Sequence, residues 1–98
     1  MFARLVTIHV KPGARATATR IGDEANALYR RCKGFVAVYF MFIDEAKGEY
    51  GSFSVWQTRE DADAAAATHR DLLARDHASD MVAPAKVQIM EVYEPKAV

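Results

Sequence analysis

Residues 35–43 read Phe-Val-Ala-Val-Tyr-Phe-Met-Phe-Ile, nine positions whose only side-chain polar group is the hydroxyl of Tyr39. Gly34 precedes the run and the polar stretch Asp44-Glu45-Ala46-Lys47-Gly48 follows it. A short apolar run bounded this way, rich in β-branched and aromatic residues, predicts a strand buried on both faces. Phe35, Ala37, Tyr39, Met41 and Ile43 alternate with Val36, Val38, Phe40 and Phe42, so both sides of the pleat are apolar. Such a strand needs a packing partner on each side, and that need governs how the rest of the chain is read.

Downstream, Asp44 to Gly48 predicts a hairpin turn into a strand from Tyr50 to Gln57, with Phe53 and Val55 on one face and Tyr50 and Trp56 on the other. Thr58 followed by Arg59, Glu60 and Asp61 has the form of an N-cap with acids in the first turn, opening a helix over Arg59 to Arg75. Its inward stripe is Ala62, Ala65, Ala66, His69, Leu72 and Leu73, with Asp71 and Arg75 spaced as a surface pair. Asp76 to Ala85 reads as a loop that leaves His77 in water, and Lys86 to Tyr93 as a last strand stopped by Glu94-Pro95. Upstream, Phe2 to Val10 is a strand stopped by Lys11-Pro12-Gly13. Ala14, Ala18, Ile21, Ala25, Leu28 and Cys32 then recur at helical spacing, which predicts a helix from Ala14 to Lys33 with Arg30, Arg31 and Lys33 in its last turn and Gly34 as its left-handed cap.

The order strand, helix, strand, strand, helix, strand predicts an α+β, ferredoxin-like βαββαβ fold: a four-stranded antiparallel sheet with two helices on one face. Residues 1–98 are read as a single domain, since about 100 residues support one core. The helices cover one face only, and the other is an apolar surface of roughly 350 Å². A second copy of the chain is its simplest cover, so the expected partner is a homodimer through the sheet face.

Composition narrows the function. Hydrophobic residues make up 51% of the chain and charged ones 27%, which is the profile of a packed globular protein. Thirteen basic residues balance thirteen acidic ones, so no single-sign field favours nucleic acid or anionic lipid. Lys47-Gly48-Glu49-Tyr50-Gly51-Ser52-Phe53 also departs from the RNA-recognition signature, because Tyr50, Phe53 and Trp56 are three apart and alternate faces. Neither nucleic acid nor membrane is an expected partner. The one cysteine, Cys32, cannot form an intrachain disulfide, and a cytoplasmic location is expected.

Lys11-Pro12-Gly13 after the first strand, Gly34-Phe35 opening the second, and Val55-Trp56-Gln57-Thr58 before an acidic helix start resemble the antibiotic biosynthesis monooxygenase family of dimeric α+β barrels. The resemblance covers nearly the whole chain and implies a ligand cleft in each subunit between sheet and helices. Family members include small quinone-forming monooxygenases that use no metal or flavin, haem-degrading enzymes and proteins with no assigned reaction. The haem-degrading pattern, an Asn on the first strand with a Trp and a His on the second helix, is not matched. Thr7 stands where the Asn would fall, and alanines where the Trp would.

His69 lies in the apolar stripe of the second helix, where it is either a packed histidine with one satisfied hydrogen bond or a base that takes a proton near pH 7. His9 shares a strand face with Leu5 and Thr7, lining the same cleft or standing at a sheet end. Three histidines without ligand spacing make no case for zinc or iron. The expected function is a cofactor-independent monooxygenase acting on a phenolic or hydroquinone-like compound, with His69 accepting the phenolic proton and Thr7, His9, Tyr39 and Trp56 orienting the substrate. No cofactor and no metal are expected. The alternative is a non-catalytic dimer, ligand-binding or stress-associated, that holds a small apolar or aromatic molecule.

Overall fold

The computed structural model describes residues 1–97. Four strands, β1 (Phe2–Val10), β2 (Phe35–Asp44), β3 (Glu49–Trp56) and β4 (Met81–Glu91), form one antiparallel sheet in the order β2-β3-β1-β4. Helices α1 (Arg15–Tyr29) and α2 (Arg59–Asp76) pack on one face of it. This is the ferredoxin-like βαββαβ arrangement predicted by the order of elements.

Alternation in the central strands shows which face is covered. Arg4, Val6, Ile8 and Val10 of β1 are buried, as are Tyr50, Ser52, Ser54 and Trp56 of β3. These point at the helices, while Leu5, Thr7, His9, Phe53 and Val55 face the open side and stay half-buried. The core divides in two: Val6, Ile8, Val10, Ala18, Ile21 and Tyr50 form one cluster, and Ala25, Tyr29, Trp56, Ala62 and Ala65 the other. Three alanines in the second cluster bring α1 and α2 close to the sheet around one large ring, Trp56.

Several expectations are corrected. The run 35–43 forms a strand, but β2 lies at the sheet edge and none of its residues is fully buried. A bulge at Val36 puts Phe35 on the same side as Val38 and Phe40, which breaks the strict alternation read from the sequence. Tyr39, on the open face opposite Phe53, is 66% exposed, and Phe42, on the helix side, is 53% exposed under the stacked guanidinium of Arg15, 4.0 Å from its ring centre. The helices therefore do not close over β2, and a gap remains between α1 and that edge.

Helix α1 ends at Tyr29, four residues earlier than its periodicity predicts, so Arg30, Arg31 and Lys33 lie beyond its last turn. Its buried stripe continues through Ala18, Ile21 and Ala25 to Tyr29 and not to Leu28. Gly34 does adopt a left-handed φ of 79°, but as part of the turn into β2, where its amide oxygen accepts from Gln57 and an added Cβ would collide with the Asp61 carboxylate. The hairpin turn is a short helical turn, Glu45–Lys47, closed by Gly48 at φ 72° and by the Asp44 side chain accepting from the Lys47 amide. Thr58 caps α2 as predicted, its hydroxyl accepting from the Asp61 amide at 3.1 Å.

Half of the segment read as a ten-residue loop is strand, since β4 begins at Met81. Pro84 is tolerated there because β4 is an edge strand with shifted register near His9. His77 is buried and not solvated. Its Nε2 lies 2.6 Å from Glu24 Oε2 and its Nδ1 2.9 Å from Asp80 Oδ2, tying the end of α2 to α1. Arg75 pairs with its neighbour Asp76, not with Asp71.

Candidate functional site

A hydrogen-bonded chain of three side chains crosses the interior between sheet and helices. Arg4 is in phase with Val6, Ile8 and Val10 on β1, so its guanidinium is carried to the covered face, where the residue is 3% exposed. Its Nη1 donates to the Tyr29 hydroxyl oxygen at 2.7 Å. That oxygen lies 3.0 Å from His69 Nδ1. Arg4 can only donate, which leaves the Tyr29 hydroxyl proton for Nδ1 and places the proton of neutral His69 on Nε2. Nε2 is buried and has no hydrogen-bond partner among the described residues.

Burial sets the protonation states. Desolvation raises the Tyr29 pKa against the opposing pull of Arg4, so the hydroxyl stays neutral. Burial, aided by the positive charge of Arg4 and then by His77, lowers the His69 pKa to about 4, so the ring is uncharged at neutral pH. Trp56 packs edge-on against Tyr29 at 5.5 Å and His69 against the same ring at 5.3 Å, which holds the chain in place.

His69 lines a cavity of about 350 Å³ between α1 and the β2–β3 side of the sheet. Its walls are mainly apolar: Val6, Ile8, Ile21, Phe40 and Phe42. A second polar group stands in this wall without a partner, the buried hydroxyl of Tyr50. Burial and the nearby Glu45 carboxylate raise its pKa, so it too is a neutral donor. A mainly apolar cavity with two hydrogen-bonding groups unsatisfied among the described residues fits a flat, largely apolar molecule that carries oxygen atoms.

The structure separates the residues singled out from sequence. His69 lines the cavity. Trp56 is fully buried, donates from Nε1 to Ser54 Oγ at 2.9 Å and lines no cavity wall beside His69. Thr7, His9 and Tyr39 lie on the opposite, open face of the sheet, where His9 Nε2 sits 3.5 Å from Glu49. Arg4 and Tyr29 are the site residues that the sequence reading does not single out. Arg4 was detectable as a charge in phase with three buried aliphatic residues, and Tyr29 as the next step of four after Ala25. Among the described residues, no group of three or more His, Cys, Asp or Glu side chains is placed to hold a metal ion.

No family model matches the sequence, and no curated protein matches it. Solved structures do match in fold. One named antibiotic biosynthesis monooxygenase is 18% identical, with a TM-score of 0.76, and the match covers 96% of this chain and 100% of that one. SnoaB, a cofactor-independent oxygenase from Streptomyces nogalater, is 16% identical with a TM-score of 0.72, over 96% of this chain and 94% of that one. MhuD, with two manganese protoporphyrin IX molecules per active site, is 15% identical with a TM-score of 0.74, over the full length of both chains. The chain thus has the fold of these proteins, and a shared fold does not by itself fix a shared activity.

Proposed function

We infer that the chain is a small homodimeric oxygenase that acts on a phenolic or hydroquinone-like compound without a prosthetic group. The observation that carries this reading is the cavity beside His69, mainly apolar, in whose wall the His69 Nε2 and the Tyr50 hydroxyl have no hydrogen-bond partner among the described residues. A hydroquinone-like ring offers oxygens to both groups and leaves its carbons against Phe40, Phe42 and Ile21.

The chemistry asks little of the protein. A phenol that gives up its proton, adds dioxygen at a ring carbon and expels hydroxide becomes a quinone: one oxygen atom enters the ring, the other leaves as hydroxide and takes up the released proton as water, and the ring supplies all four electrons. What helps is favouring the phenolate over the phenol. His69 with a pKa of about 4 is a poor base for a phenol of pKa about 10, because six units correspond to roughly 8 kcal/mol. Its fitting role is donation from Nε2–H to the phenolate oxygen, polarised through Tyr29 by the positive charge of Arg4. Trp56 then acts as a positioning residue for Tyr29. Thr7, His9 and Tyr39 belong with Leu5, Phe53 and Val55 to the open face through which two copies pack.

Oxygen uptake over a panel of phenols and hydroquinones tests the proposal, with His69→Ala beside the parent. At least one compound should be turned over at one dioxygen per quinone, and His69→Ala should lower kcat at least tenfold. A panel that binds without oxygen uptake favours the non-catalytic ligand-binding dimer and overturns the oxygenase reading.

A further inference from the structure

A second cavity, about 670 Å³, opens between α2 and β4 on the far side of His69. Its wall is apolar where β4 and α2 face each other, at Leu73, Met81, Val87 and Ile89. Arg4 lines this cavity and not the first one. The guanidinium has five N–H donors, yet its one hydrogen-bond partner among the described residues is Tyr29, and its buried Nε has none. No carboxylate pairs with it among the described residues. The two other charged residues of the cavity, Asp63 and Arg70, are exposed, and Asp63 faces Arg59 at 3.8 Å.

A buried cation without an anion is unfavourable, and a planar guanidinium fork matches a carboxylate better than any other small anion of apolar character. We propose that the cavity between α2 and β4 binds a monocarboxylate with an apolar remainder, its carboxylate held by Arg4 and its hydrocarbon part against Val87, Ile89 and Leu73. This cavity shares Val6 and His69 with the one assigned to the phenolic substrate, but Arg4 lines this one only, and the proposal does not rest on that assignment.

Calorimetric titration with octanoate, 1-octanol and octylamine tests this directly. The parent should bind octanoate at least tenfold more tightly than the alcohol or the amine, and Arg4→Met should bind octanoate and octanol alike. Equal affinities in the parent, or an octanoate preference that survives in Arg4→Met, would overturn the proposal. Should Arg4→Met fail to fold, Ala66→Phe keeps Arg4 and fills the cavity from α2, and octanoate binding should then be lost. Its retention contradicts the proposal. Methyl resonances of Val87 and Ile89 should shift on adding octanoate to the parent, and shifts confined to Ile8 and Ile21 would place the ligand in the other cavity. Failure of oxygen uptake leaves each of these outcomes unaffected.

Discussion

Acidification should weaken this protein by a definite amount through His69. The ring has a folded pKa of about 4 against an ordinary value of 6.5, so between those values the unfolded chain binds the extra proton and the folded one does not. The stability it contributes is therefore complete above pH 6.5 and is lost as pH falls toward 4. From pH 7.5 to 4.5 the proton-binding factor of the unfolded chain relative to the folded one changes about 70-fold, which is about 2.5 kcal/mol of unfolding free energy. His77 works in the other direction. Although burial opposes its charge, the Glu24 and Asp80 carboxylates raise its pKa. Its contribution is full below 6.5 and fades as pH rises through the folded value. The total curve mixes both, so the informative quantity is the parent minus His69→Leu, measured by urea unfolding at fixed protein concentration with Trp56, the sole tryptophan, as the fluorescent probe. The gap between the two should shrink by about 2.5 kcal/mol on going to pH 4.5. A gap that stays constant with pH, or an imidazole of His69 that titrates near 6.5 by NMR, would refute the reasoning.

Trp56→Ala should cost about 3–5 kcal/mol, because Trp56 is completely buried against Tyr29 and Phe35; a loss below about 1 kcal/mol by chemical denaturation counts against its place at the centre of that cluster. Gly34→Ala should destabilise by more than a usual surface change, through its positive φ and the Asp61 carboxylate that a Cβ would meet, and an unchanged Tm contradicts this. Phe53→Glu, in the middle of the open sheet face, should convert a dimer to a monomer in sedimentation at micromolar concentration. A parent that is already monomeric there removes the sheet-to-sheet dimer.

The fold was legible because its signals are local. Thr58 at a cap, Gly48 in a tight turn and the even-numbered residues of β3 all state their roles through period or backbone geometry. Where the reading failed, distant contacts decided. The apolar run 35–43 looks buried from within, yet its neighbours in the sheet place it at an edge, and one bulge at Val36 resets the alternation. His77 sits in a polar stretch, and only Glu24, far away on α1, makes it an interior residue. The site was half legible: His69 follows from the stripe of α2, but its partners Tyr29 and Arg4 come from two other elements, and nothing in helical or strand spacing joins them. Thr7, His9 and Tyr39 are expected to orient a substrate beside His69, whereas strand alternation carries them to the other side of the sheet.

Labelled dioxygen tests the central claim most directly. With a substrate from the phenol panel and ¹⁸O₂, mass spectrometry of the quinone should show one heavy oxygen atom per molecule, with the second atom recovered in water. A quinone that carries no label, formed with hydrogen peroxide or not formed at all, would contradict an oxygenase built on the His69 cavity.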